Sequence, residues 1–183
     1  VIDRSVADLG PDWDLLDRVA GLGIATPLIY AGGIASEADG REVIRRGADR
    51  LVVDPLLRTD PSAIECLAEH VGAQALIAAL PLEFVDGKLS WLDHVNRRFD
   101  DLSSAPLRLL EEAVVSEVLV VDWAHEGSRR DFDVRVIEAF PLTGDRLIAF
   151  GGIGVPELAA TVLSMPKVAA VAVGNALNYR EHA

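Results

Sequence analysis

The chain has 183 residues, half of them apolar and 5% aromatic, and carries a formal net charge of −12. That acidity argues against a nucleic-acid surface, because phosphate backbones are held by clustered Lys and Arg; local cationic sites for small anions stay open. The length suits one domain, residues 1–183, with a sizeable aliphatic core. A single cysteine, Cys66, excludes an internal disulfide and fits a reducing cytoplasm. No apolar run reaches the about 20 residues that cross a bilayer, and none is built like a signal peptide.

Val1-Ile2-Asp3 reads as the tail of a strand with Asp3 at its carboxyl end. A helix follows over Asp12–Gly21, with Trp13, Leu15, Leu16 and Val19 as its apolar stripe. Pro27-Leu28-Ile29-Tyr30-Ala31 is an apolar strand ending in Gly32-Gly33-Ile34, and Ser36 with Asp39 caps a helix that runs to Gly47. Leu51–Val53 is the next strand, ending at Asp54-Pro55, and Pro61 opens a helix to about His70. Ala75–Leu80 is a strand, and Pro81–Ser90, with the turn Asp86-Gly87, is a hairpin excursion. Glu83 and Lys88 flank that turn as a cross-strand ion pair. Leu107–Val115 is helical and Val118–Val121 is a strand. A charged loop follows over Asp122–Asp133, then a helix over Val134–Phe140. Leu147-Ile148-Ala149-Phe150 leads into Gly151-Gly152-Ile153, a helix covers Pro156–Met165, and Ala169–Val173 is the last strand.

Continuous apolar runs of this kind fit strands buried on both faces of a parallel sheet, and alternation with helices means right-handed βαβ units. The two Gly-Gly-Ile corners lie 119 positions apart (151 minus 32). That spacing is too long for a solenoid repeat and suits half of a barrel. Seven strand candidates with six connections then read as an α/β (β/α)8 TIM barrel lacking its first βα unit and most of its last helix, since a full barrel takes about 250 residues. An open doubly wound sheet is the competing fold.

Barrels carry their chemistry at the carboxyl ends of the strands. Reading those ends off gives Asp3, Asp54, Asp122 and Glu126 as candidate acid–base carboxylates. Gly32, Gly33, Gly127, Gly151, Gly152, Gly174 and Asn175 are candidate phosphate-binding positions, because backbone N–H groups beside a helix start attract anions. His125 beside Glu126 is a weaker acid–base candidate, and Arg129-Arg130 either reach a phosphate or balance Asp131 and Asp133. His70 and His94 have no partners at metal-ligand spacing, so neither a metal nor a cofactor is expected.

At this point a family likeness becomes specific. Gly32-Gly33-Ile34, Gly47-Ala48-Asp49-Arg50, Asp60-Pro61 over Ile64, Gln74-Ala75 and Val85-Asp86-Gly87 resemble the cyclase subunit of imidazole glycerol phosphate synthase. So do Glu117-Val118-Leu119, Glu126-Gly127-Ser128, Phe132-Asp133, Ala149-Phe150-Gly151-Gly152 and Tyr179-Arg180-Glu181, so that the likeness covers essentially the whole chain. It implies a subunit of histidine biosynthesis that takes ammonia from a glutamine amidotransferase partner docked at the amino-terminal face of the barrel. At the other face a bisphosphorylated ribulosyl substrate is cleaved and closed to an imidazole, in lyase chemistry served by two aspartates at the ends of the first and fifth strands. By the same resemblance Asp49, Arg50, Gln74 and Glu117 build the partner face and ammonia gate.

The mouth departs from the family. Pro81 stands where the fifth-strand acid belongs, Asp54-Pro55 where the family has asparagine and a small hydroxyl, Phe150 and Asn175 where it has serines. Carboxylates added beside a bisphosphate repel it by about 1 kcal/mol per exposed pair. Two alternatives therefore stand beside the cyclase reading: a paralogue passing ammonia for surface-polysaccharide sugar amidation, and a catalytically silent barrel that binds an amidotransferase.

Overall fold

The computed structural model describes residues 10–93, 96–102, 104–128, 131–141 and 144–174. Asp3, His94, Arg129, Arg130, Asn175 and the run Tyr179-Arg180-Glu181 lie outside the described residues. The chain divides into two compact units: one holds the chain up to Ala78 with Ser104–Glu117, the other holds Ala79–Ser103 and the chain from Val118 onward.

In the first unit, α1 (Trp13–Ala20) starts where the Asp12 carboxylate accepts from Leu15 N, and buries Leu16. β1 (Ile29–Ala31) leads to α2 (Glu37–Arg45), capped as its sequence indicates: Ser36 Oγ accepts from Asp39 N at 3.2 Å, while the Asp39 carboxylate accepts from Ser36 Oγ and Ala35 N. β2 (Arg50–Val53) pairs parallel with β1, Ile29 opposite Arg50. A short α3 (Leu56–Thr59) precedes α4 (Pro61–Val71), whose amino end is closed by Asp60. After a 3₁₀ turn at Ala73–Ala75, the first residues of β3 (Leu76–Val85) pair parallel with β2, Leu51 opposite Leu76. The unit ends with α5 (Ser104–Glu111).

In the second unit, β3 continues and turns at Asp86-Gly87, where both residues have positive φ (50° and 79°) as a tight hairpin requires. β4 (Lys88–Asp93) pairs antiparallel with it, and β5 (Arg98–Asp101) with β4. β6 (Glu117–Asp122), β7 (Leu147–Phe150) and β8 (Val168–Val171) form a parallel set, with α6 (Arg135–Glu138) and α7 (Pro156–Leu163) in the connections. Trp123 N donates to Leu82 O at 3.0 Å, setting the end of β6 beside β3.

This is an α/β fold of parallel strands alternating with helices, and the parallel strands β2, β3, β6 and β7 are lined by buried aliphatics such as Leu51, Val53, Leu76, Ala78, Val118, Val120 and Ala149. Three local expectations change. β3 does not stop at Leu80; Pro81 lies inside it, because the antiparallel partner β4 carries the pairing on to Val85. Lys88 Nζ bonds Asp101 on β5 at 2.6 Å, while Glu83 faces Ser90, since two residues on opposite strands of a tight hairpin pair directly only in matching register. α5 begins at Ser104, earlier than the Leu107 start read from the apolar stripe.

Two stability predictions arise here. Lys167 Nζ donates to the carbonyls of Phe140 (2.7 Å), Glu138 (3.1 Å) and Ile137 (3.4 Å), closing the carboxyl end of α6. Lys167→Met is therefore expected to cost about 1–2 kcal/mol in urea unfolding, as charged hydrogen bonds to helix-end carbonyls do. On α2, the guanidinium of Arg45, then that of Arg46, holds the Glu42 carboxyl down from its ordinary 4.5 to about 2. A carboxylate depressed on folding adds stability that is complete above its unfolded value and is lost as pH falls through the folded one. The melting temperature should thus drop between pH 4.5 and pH 2, and less steeply in Glu42→Gln. Added salt should shrink the difference, because the group is exposed.

Candidate functional site

The carboxyl end of β6 is the chemically richest place in the chain. Val118–Val120 bury their side chains and carry the strand straight to Asp122, whose side chain is 1% exposed. Burial of a carboxylate is costly unless it is fully bonded. Here Asp122 Oδ2 accepts from Asp133 N at 2.7 Å and from His125 Nδ1 at 2.8 Å. The turn after β6, closed by Ser128 N on His125 O at 2.9 Å, brings His125 back over its own strand. Asp133 in turn chelates Arg135, with Oδ2 to Nη2 at 2.6 Å, and that guanidinium lies 4.9 Å above the Phe84 ring. The hydrogen bond from Arg135 holds the Asp133 carboxyl below the usual range, with the His125 ring a smaller contributor in the same direction.

The Gly151-Gly152 corner at the end of β7 sits against this assembly. A Cβ on Gly151 would stand 2.6 Å from the Asp122 carbonyl oxygen; one on Gly152 would stand 2.9 Å from Phe132 N and 3.1 Å from both His125 Cβ and Ser128 Oγ. Only glycines let β7 and the β6 turn come this close. Ser128 Oγ is buried there without a hydrogen-bond partner among the described residues. The structure thus gathers Asp122, Gly151, Gly152 and the Glu126-Gly127 turn at one end of the β6–β7 pair. A Cβ on Gly127 would meet nothing within 4 Å, and one on Gly174 would stand 3.4 Å from the Phe150 ring.

The other corner has its own surroundings. A Cβ on Gly33 would lie 2.4 Å from Gly10 C and 2.7 Å from Pro11 N, so the chain's own backbone covers that glycine. Asp54 directly follows β2 in the same unit, and α3 starts immediately after Pro55.

At the strand entrances of the first unit, Arg50, Gln74 and Glu117 are joined by hydrogen bonds, and Asp49 stands apart from them. Arg50 Nε donates to Gln74 O at 3.0 Å, and its Nη2 bonds Ser116 Oγ at 2.8 Å and Glu117 Oε2. Arg50 and Glu117 keep 25% and 23% of their side chains exposed. Asp49 Oδ2 accepts from Leu28 N at 2.7 Å and so ties β1 to β2. Ser116 is the member of this cluster that strand-end reasoning missed; its only sequence signal is adjacency to Glu117.

Residues 9–183 match the family described as "Histidine biosynthesis protein". The chain belongs to that family. Among its relatives, the imidazole glycerol phosphate synthase subunit HisF of Pyrococcus furiosus is 30% identical over 163 residues, which is 87% of this chain and 64% of the relative. HisF of Thermococcus gammatolerans is 27% identical, covering 79% of this chain and 58% of the relative, and HisF of Geobacillus thermodenitrificans is 27% identical, covering 92% and 68%. The chain therefore spans less than two thirds of the first two relatives' length. It is a divergent HisF-like member of the histidine biosynthesis family, with Pro81 inside β3. Among the described residues no helix is long and apolar enough to cross a membrane, and no group of three His, Cys, Asp or Glu side chains is placed to hold a metal ion.

Proposed function

We propose that this chain is most of a single (β/α)8 barrel domain, with the first βα unit and most of the last helix outside it. The barrel works as a cyclase-like subunit of the imidazole glycerol phosphate synthase type. Its partner is a glutamine amidotransferase, in a heterodimer, and its substrate is a phosphorylated ribulosyl-type sugar. The single observation that carries this reading is the joined cluster Arg50–Gln74–Ser116–Glu117 at the strand entrances. Arg50, Gln74 and Glu117 are among the positions at which the family likeness puts the partner face and the gate for ammonia. A polar, partly exposed ring of this kind suits the passage of a small neutral amine better than a sealed apolar plug. At the opposite strand ends, Gly151 and Gly152 with the buried, unpartnered Ser128 hydroxyl support a phosphate cradle.

One observation favours a second reading. Pro81 is buried within β3 and moves no proton, which supports a paralogue that hands ammonia to another acceptor. The test is ammonium-dependent formation of imidazole glycerol phosphate by the full protein, alongside stimulation of a family glutaminase subunit added in trans. Product formation supports the cyclase reading. Glutaminase stimulation without product supports the paralogue, and a gain of product in Pro81→Asp would place it one residue from the parent reaction. Neither product nor stimulation sinks both.

A further inference from the structure

The buried Asp122 carboxylate does more than close a turn. His125 Nδ1 lies 2.8 Å from Asp122 Oδ2, and because an ionised carboxylate can only accept, that pairing puts the imidazole proton on Nδ1. The other nitrogen, Nε2, then has no hydrogen-bond partner among the described residues, on a side chain that is 36% exposed. The His125 Cβ and the unpartnered Ser128 hydroxyl each lie 3.1 Å from where a Cβ on Gly152 would stand, so the residue adjoins the Gly151-Gly152 corner. Trp123 N to Leu82 O at 3.0 Å sets Asp122-Trp123 next to Pro81-Leu82 across neighbouring strands. Proton transfer that Pro81 cannot perform is thus available one strand away.

We propose that His125 is the proton-transfer residue of this site and that Asp122 is its positioning residue; this deepens the phosphosugar reading above and rests on it. His125 Nε2 takes a proton from a C–H, N–H or O–H bond of the sugar-derived part of the substrate, the electron pair staying on the substrate atom. The imidazolium so formed is held by Asp122, and the proton is later returned to a leaving oxygen or nitrogen, with no net oxidation. Among the described residues, the neighbouring charged groups are Asp133, paired with Arg135 on α6, and Glu126 in the same turn.

The test uses the full protein with ¹⁵N-labelled histidine, and ribulose 5-phosphate as the probe. The neutral His125 ring should be the Nδ1–H tautomer, and Asp122→Asn should lose that preference. Diethyl pyrocarbonate should modify His125 more slowly in Asp122→Asn. The probe at ten times its dissociation constant should slow the modification about tenfold by mass action, while leaving His70 unaffected. His125→Gln should keep fold and probe affinity yet lose about 100-fold in ammonium-dependent turnover. An Nε2–H tautomer, bound probe without protection of His125, or full turnover in His125→Gln overturns the assignment. A protein that binds no phosphosugar refutes the functional reading alone. In that case the pyrocarbonate rate decides the dyad: a fall on Asp122→Asn keeps it and an unchanged rate removes it.

Discussion

Gly33→Ala is expected to cost about 3 kcal/mol in urea unfolding, and Gly23→Ala only about 1. The two glycines have nearly the same backbone, φ +65° and +63°, so the strain of a left-handed alanine is common to both. They differ in what surrounds them. A Cβ on Gly23 meets nothing within 4 Å, whereas one on Gly33 meets Gly10 C at 2.4 Å, Gly10 O at 2.5 Å and Pro11 N at 2.7 Å. Backbone atoms cannot rotate away as a flexible side chain can, so the Gly10–Pro11 segment must shift, and with it the Asp12 cap of α1 and the bond from Asp12 N to the Tyr30 hydroxyl. Equal costs for the two variants would mean that the segment is free to move and that Gly33 is kept for another reason.

The second large effect belongs to Asp122. Asp122→Ala should cost about 3 kcal/mol, because it removes the acceptor of Asp133 N and His125 Nδ1 and leaves a void beneath the turn. Asp122→Asn should cost about 1–2 kcal/mol: its amide offers one acceptor, and its NH₂ then faces a donor. Chemical denaturation of both variants measures this, with the slope of the transition expected to stay unchanged. If Asp122→Asn is as stable as the parent protein, the carboxylate does not organise the turn, and its hold on His125 is weaker than the geometry implies.

The parts of the fold that could be read from the chain are those whose signal is local. Continuous apolar runs named β1, β2, β6 and β7 to within a residue or two, since strands buried on both faces need no polar alternation. Ser36 with Asp39, and Pro61, marked helix starts because the signals that open a helix lie within its first turn. Where pairing partners decide, reading failed. Pro81 looks like a strand end in one dimension, yet β4 pairs with the residues beyond it and the strand continues to Val85. α3 escaped because one helical turn leaves no periodicity to detect.

For the candidate site the division is similar. Asp122, Gly151 and Gly152 were legible as strand-end residues, and Arg50, Gln74 and Glu117 as strand-entrance residues. That Arg50 reaches Gln74, Ser116 and Glu117 at once, or that His125 doubles back onto Asp122 and gives it a directed partner, depends on where loops bring side chains that lie up to 67 positions apart. The amino-acid order by itself determined the alternation of buried strand and helix, the caps and the two glycine corners, because each follows from the periodicity or backbone freedom of a few neighbouring residues. Only the tertiary structure decided which polar groups share a hydrogen bond, since a charge finds its partner through space and the cost of burying it alone is what fixes the pair.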